Sequence, residues 1–416
     1  MSKTSFGPVT MVIVCLVAAW SGVVKAAPPD LTKGEPIPEG ATHDWNLGPT
    51  GARGWMYSER METDLARQIA ITSVEPGSPA SGILQKGDVI LGIGNEAFQF
   101  DPRVEFGRAI GVAEATNGRL TLRRWRLGRE ERVVVPLPVM GRYSATAPFD
   151  CPKSARIFEE GCEAIAREMR ANPDAGNPIE RSYNAMALLA SGNPTYLPLV
   201  RAQVEWASSY SDLERRSLHC WWYGPVNMLL AEYVLATGDR TWMAGLERVT
   251  MEIVHGQSEV GSWGHRFVQD NGRLAGYGMM NAPGLPMTVS LILARRAGVD
   301  DPALDEAIEK SARLIRFYVG KGSVPYGDHH PWIQTHDDNG KNGAAAVLFH
   351  LLGDAEACEY FSRMSVASHG SERDQGHTGN FFNMLWAMPG VALSGPNATG
   401  AWMQEFGWSY DLARRW

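Results

Sequence analysis

The chain is 416 residues long, more than one domain usually holds. It is 44% hydrophobic and 20% charged, which fits a globular protein and excludes a disordered or fibrous one. The net charge of −7 argues against nucleic acid as a partner, because phosphate recognition needs a basic face.

Residues 1–26 read as a secretory signal. Lys3 gives a positive start, a mostly apolar run extends from Val9 to Val24, and Val24-Lys25-Ala26 offers a small-residue cleavage site before Ala27. The run is shorter than the ~20 residues a membrane span needs. No later stretch is apolar enough to cross a bilayer. The expectation is an exported chain, periplasmic or extracellular. There Cys151, Cys162, Cys220 and Cys358 either join in one of three pairings or stay as buried thiols. Their wide spacing argues against a thiolate zinc site.

After a linker at 27–43, residues 44–141 alternate as strands do. "QIAITSV" (68–74), "DVILGI" (88–93), 120–125 and 133–137 carry the pattern. One helical stretch, "PRVEFGRAIGVAEA", shows an apolar stripe at Val104, Ala109, Ile110 and Ala113. Between the strands stands "EPGSPASGILQKGDVILGI". In order and spacing, Gly77-Ser78-Pro79-Ala80 and Gly87-Asp88-Val89-Ile90 resemble the PDZ family in its bacterial secreted form. The resemblance covers about a hundred residues and implies a small β-rich domain that binds a peptide as an added strand. In "LGPTGARGWMYS" it implies a ligand loop and groove strand built from Gly51, Arg53, Gly54, Trp55 and Met56. This loop departs from the family's compact form, so the expected ligand is a protein or peptide partner, either an internal peptide or a segment of the same chain.

From Cys151 to Trp416 the period becomes helical. An apolar helix end, a glycine and a small polar residue recur at Gly192, Gly238, Gly298, Gly353 and Gly395. Glycine takes the left-handed position after one helix and Asp, Asn or Thr caps the next, which predicts antiparallel hairpins. Asn184, Asn227, Asn281, Asn342 and Asn383 recur in the leading helices, where their expected role is to satisfy helix-end backbone. The leading helices are rich in small and aromatic residues, as an inner ring would be. The predicted fold class is therefore multidomain: a β-rich PDZ domain followed by an all-α domain, an α/α toroid rather than an open solenoid. "QSEVGSW" (257–263) is similar to the Gln-x-x-x-Gly-x-Trp phrase of terpenoid-cyclase toroids, in one copy and without catalytic residues. The whole order resembles a group of exported bacterial PDZ–toroid proteins of uncharacterised function.

If the short turns share one pole, the long connections 211–221, 255–280, 320–340 and 368–378 must meet at the other. Eight of ten histidines fall in those four loops, which marks that pole as the expected site. "VPYGDHHPWIQTHDDNGKNG" is the richest stretch. Tyr326 and His329 are candidates for acid and base in a β-elimination, with His377 neutralising a uronate carboxylate. Asp328, Asp337, Asp338 and Asp374 are candidates for hydrolysis by paired carboxylates. His329, His330, His336, Asp337 and Asp338 are also a candidate divalent-metal set, with imidazole and carboxylate suiting zinc or manganese. His265 and His377 share a glycine-flanked setting that admits close approach of a ligand. Trp222, Trp263 and Trp332 are candidates to stack on sugar rings, while Trp386, Trp402 and Trp408 are expected in the core. The expected activity is carbohydrate-active, a lyase or hydrolase on an anionic glycan; a non-catalytic adaptor binding a protein partner and a glycan or peptide is the alternative.

Overall fold

The computed structural model describes residues 27–59, 61–212, 218–274, 276, 278–327, 340–370 and 379–416. The signal stretch 1–26 lies outside them. The N-terminal region is a seven-stranded antiparallel sheet: β1 (Trp45–Asn46), β2 (Ala52–Trp55), β3 (Ile69–Val74), β4 (Val89–Ile93), β5 (Glu96–Ala97), β6 (Arg119–Arg126) and β7 (Arg129–Pro136). Their order is β1-β2-β3-β4-β6-β7, with β5 on β4. Alternation places Ile69, Ile71, Ile90, Leu120 and Leu122 on one face, where α1 (Pro102–Ala115) covers them with Phe106 and Ile110. The Gly87-Asp88 turn is fixed by charge: Asp88 is fully buried and takes Arg126 through both carboxylate oxygens, at 2.6 and 2.7 Å.

The helical face of α1 differs from the apolar stripe. Arg103 and Glu114 are buried beside Phe106, Gly107, Ile110 and Ala113, whereas Val104 and Ala109 are half-exposed. Both buried charges are paired, Arg103 with Asp101 at 3.0 Å and Glu114 with Lys153 at 2.9 Å.

The C-terminal region is helical. A lone helix, α2 (Pro152–Ala171), precedes five hairpins: α3 (Pro178–Ala190) with α4 (Leu197–Ser208), α5 (Cys220–Thr237) with α6 (Met243–His255), α7 (Asn281–Ala297) with α8 (Pro302–Arg316), α9 (Gly340–Leu352) with α10 (Ala355–Val366), and α11 (Gly379–Ala392) with α12 (Pro396–Ala413). Every turn within a hairpin carries its glycine at positive φ, from 65° at Gly192 to 102° at Gly298, as the capping pattern predicts. Asp301 and Asp354 then cap α8 and α10. The leading helices α3, α5, α7, α9 and α11 pack side by side in that order. α5 and α7 are buried almost all round, and α9 and α11 approach so closely that a side chain on Gly390 would strike the Gly343 backbone. The trailing helices are amphipathic and cover the outside.

Cys151, Cys162, Cys220 and Cys358 are free; the first three are buried thiols and Cys358 is half-buried. Burial pushes the Cys220 thiol well above its ordinary value, which makes it inert. Among the described residues no helix is long and apolar enough to cross a membrane.

The two regions meet at a buried charge cluster. Lys153, at the start of α2, is 1% exposed and lies 2.9 Å from Glu114 of α1 and 3.1 Å from Asp411 of α12. Arg414 also reaches both carboxylates, at 2.8 and 3.2 Å, and Tyr143 donates its hydroxyl to Asp411 at 2.8 Å. Burial pushes the Asp411 carboxyl above its ordinary value, against the pull of Lys153 and Arg414.

Removing one partner of a buried ion pair strands the other, at about 3–5 kcal/mol. Lys153→Met should therefore lower unfolding stability by about that amount in urea denaturation. Combining it with Asp411→Asn, which leaves Glu114 and Arg414 as a balanced pair, should recover most of the loss; no recovery would mean that the charges are not what holds the junction. A carboxyl raised on folding adds stability below its unfolded value of 3.8 and loses it as pH climbs through the folded value. Asp411→Asn should flatten that acid-side slope of stability against pH.

Candidate functional site

The long connections leave from the pole opposite the glycine corners, and the described parts of three of them are tied to the starts of leading helices. At α5, the Cys220 N–H donates to the His265 carbonyl at 3.2 Å. The Trp221 indole donates to His265 Nδ1 at 3.0 Å, and its ring lies 6.3 Å from that of Phe382 in α11. His219 Nε2 accepts the Phe267 N–H at 3.0 Å, and its ring meets Phe267 edge-on at 4.7 Å. Below them Tyr223 donates to Glu252 at 2.6 Å; burial, then the Glu252 carboxylate, push its hydroxyl above the ordinary value.

At α7, the Met280 N–H donates to the Trp263 carbonyl and the Asn281 N–H to the Tyr326 carbonyl, both at 2.8 Å. Asn281 donates from its side chain to the Pro325 carbonyl at 2.9 Å. At α9, Asn342 accepts the Val324 N–H and donates to Ser323, each at 3.1 Å. Asn383 of α11 accepts the Gly340 N–H at 3.0 Å. Asn281, Asn342 and Asn383 are thus the stitches of this pole, as expected of buried amides. Asn227 differs: deeper in the bundle it bonds the Ser290 and Thr250 hydroxyls, not helix-end backbone.

Three of the four long loops therefore converge. His265 is half-buried and accepts the Trp221 indole N–H at its Nδ1. His219 accepts instead at Nε2 and is buried. Tyr326 sits where the 320–327 loop joins α7, half-buried. Lys341 was not anticipated from sequence: it is fully buried at the start of α9, its amino group 5.9 Å from the centre of the Tyr326 ring. A lysine in the first turn of a helix, where cations are disfavoured, is the signal that marks it.

Other expected site residues fall elsewhere. Trp263 is not a ligand platform: it is wholly buried, donates to the Ile253 carbonyl at 2.9 Å and packs over Gly284. Trp222 is half-buried beside Trp221 at the start of α5. Trp386 and Trp402 are core and Trp408 packs against the sheet region's core, as expected. Asp328, His329, His330, Trp332, His336, Asp337, Asp338, Asp374 and His377 lie outside the described residues. Among the described residues no group of three or more His, Cys, Asp or Glu is placed to hold a metal. A cavity of about 670 Å³ opens at the opposite pole, beside the Gly353 corner. Its Cys358 thiol is pushed up by burial, and it shares nothing with the loop pole.

In the sheet region, the edge of β2 expected to receive a peptide strand is already taken. β1 pairs with it, Trp45 opposite Gly54 and Asn46 opposite Arg53. Trp55 and Met56 are core rather than groove, at 4% and 0% exposure. Arg53 is committed to Asp44 at 2.6 Å. Gly51 packs on Ser78 and faces Trp416 at 3.4 Å.

If Trp263 is packing, Trp263→Ala should cost about 3–5 kcal/mol of stability in urea denaturation. Asn342→Ala, which orphans the buried Val324 N–H, should cost about 1–3 kcal/mol. A Trp263→Ala protein of unchanged stability would restore the ligand-facing assignment.

No curated protein and no solved structure matches the chain. A family model described as a domain of unknown function, DUF6288, matches residues 154–416, from the start of α2 to the last residue. That span is well over half of the sequence, and the chain belongs to the DUF6288 family.

Proposed function

We propose that this is an exported two-part protein whose helical region, an α/α toroid, carries a carbohydrate-active site at its loop pole, and whose sheet region is a PDZ-type recognition module. Ring closure is supported by the return of α11 to the first hairpins: Phe382 meets Trp221 of α5, and Trp386 lies beside Tyr183 of α3. The observation that carries the site is the Trp221–His265 bond. A half-buried imidazole fixed at Nδ1 by an indole, at a pole where Trp221 also meets Phe382, suits proton transfer to a sugar substrate. His329 and His377 act there as base and carboxylate partner, with Asp337 and Asp338 as the alternative acid–base or metal-ligating pair. The substrate is an anionic glycan, and the reaction is elimination or hydrolysis.

A second reading, a non-catalytic adaptor, is favoured by how the sheet region holds the segment around α12. Under it the pole binds a glycan or peptide without turning it over.

The test is a panel of neutral and uronate-bearing polysaccharides assayed for new reducing ends and for unsaturated uronate. His265→Ala should slow product formation by about 10²–10⁴-fold with the fold intact by circular dichroism. Trp221→Phe, which keeps a ring but removes the indole donor, should lie between wild type and that loss. Full activity in His265→Ala would remove this imidazole from the chemistry, and glycan binding without product would favour the adaptor.

A further inference from the structure

α12 works in two halves. Trp402, Met403 and Phe406 pack against Ala387 and Val391 of α11 and against Cys151. One turn later Trp408 and Leu412 join the core of the sheet region instead, with Leu412 only 7% exposed. The helix is anchored in the family domain, and its last two turns reach into the region that precedes that domain.

The sheet region is shaped to take them. A side chain on Gly107 of α1 would lie 2.6 Å from the Trp408 carbonyl oxygen, and one on Gly48 would strike the Asp411 carbonyl. A helix face and a left-handed corner are thus both cut back to glycine where α12 passes. Asn46 of β1 donates to the Arg414 carbonyl at 2.6 Å, and Arg414 pairs with Glu114. The Arg103 guanidinium lies 5.8 Å over the Trp408 ring. Trp416 ends beside Gly51 and Gly77 but stays 57% exposed.

We propose that this seat, formed by the Gly48–Gly51 corner, the Gly107–Glu114 stretch of α1 and Asn46, is a binding site for the end of an amphipathic helix. Its resident ligand is the chain's own Trp408–Trp416 segment. The proposal rests on reading the sheet region as a recognition module and names what that module holds. One feature makes the contact exchangeable: the Trp402–Phe406 half keeps α12 folded on α11 when the last turns leave. A partner helix presenting an aromatic, an acid and a leucine at the spacing of Trp408, Asp411 and Leu412 competes for it.

The experiment places a protease site in the turn Leu393–Gly395 of the full chain and adds a labelled synthetic peptide of residues 396–416. After cleavage the peptide should exchange into the seat and bind at least about tenfold more tightly than to the uncleaved chain, where the segment is covalently present. Peptides with Leu412→Ala or Asp411→Ala should bind roughly tenfold more weakly than the natural one. Equal binding to cleaved and uncleaved protein would overturn self-occupancy while leaving the module a peptide binder. No exchange in a cleaved protein that keeps its circular dichroism would make the contact permanent packing and remove the recognition reading as well. Hydrogen exchange on the uncleaved chain is the second readout: amides 409–414 should open before 399–406. If the two halves open together, only at the global rate, the latch does not exist.

Discussion

At Gly192, Gly238, Gly298, Gly353 and Gly395 the backbone turns through positive φ, a region where an ordinary side chain is strained. Each turn reverses the chain within a few residues, so the two helices of a hairpin run antiparallel and the turn stays at one pole. The consequence is geometric. The chain enters and leaves the hairpins at the other pole, and the described parts of the long connections are brought together there. The observed bonds agree: the 255–280 loop is tied to the start of α5, the 320–327 loop to the start of α7, and the Gly340 N–H to Asn383 of α11. The buried asparagines are the second half of this constraint. A loop that enters a crowded pole must hydrogen-bond its backbone, and an amide side chain at a helix start offers both a donor and an acceptor.

A different force joins the helical region to the sheet. Lys153, Glu114, Asp411 and Arg414 form a charge-balanced set, two cations and two anions, sealed at a junction whose other surfaces are apolar. Such a set specifies position more than it adds stability, because any register that separates the partners leaves a buried charge unpaired. It fixes where α12 crosses α1, and so which glycines can lie beneath it. Tyr143 strengthens the point. Burial and the Asp411 carboxylate hold its hydroxyl protonated, a fixed donor to one of the two acids that both cations share.

Much of the fold could be read from residue order because its signals are local. Alternation over 68–74 and 88–93 marks β3 and β4, and the Pro102–Ala115 helix is legible as a helix although only Ile110 and Ala113 of its apolar stripe are buried. The glycine corners are legible because a helix end is specified within four residues. What could not be read depends on partners far away in sequence. Arg103 and Glu114 look like the solvent side of α1 until Thr63, Lys153 and Arg414 arrive. Trp263, flanked by glycines, reads as a ligand platform, yet its burial follows from the Ile253 carbonyl and the α7 backbone. The β2 edge reads as open because the two-residue β1 is too short to leave a pattern. At the loop pole, histidine clustering did not point to the pairing of His265 with Trp221 or to Lys341, because both depend on neighbours far away in sequence.

The short β1 strand carries a further consequence. By closing the β2 edge it removes the site at which an extended peptide would add, and it leaves Asn46 turned outward to bond the Arg414 carbonyl. Under the proposed recognition role, the binding surface is a seat between the Gly48 corner and α1 in place of a strand edge, and its ligand is a helix end in place of a strand. A strand edge reads backbone and is tolerant of sequence. A seat cut back to glycine beneath Trp408 and lined by Arg103 and Glu114 reads a particular aromatic and a particular charge pattern. The same two residues of β1 thus exclude one class of ligand and define the other.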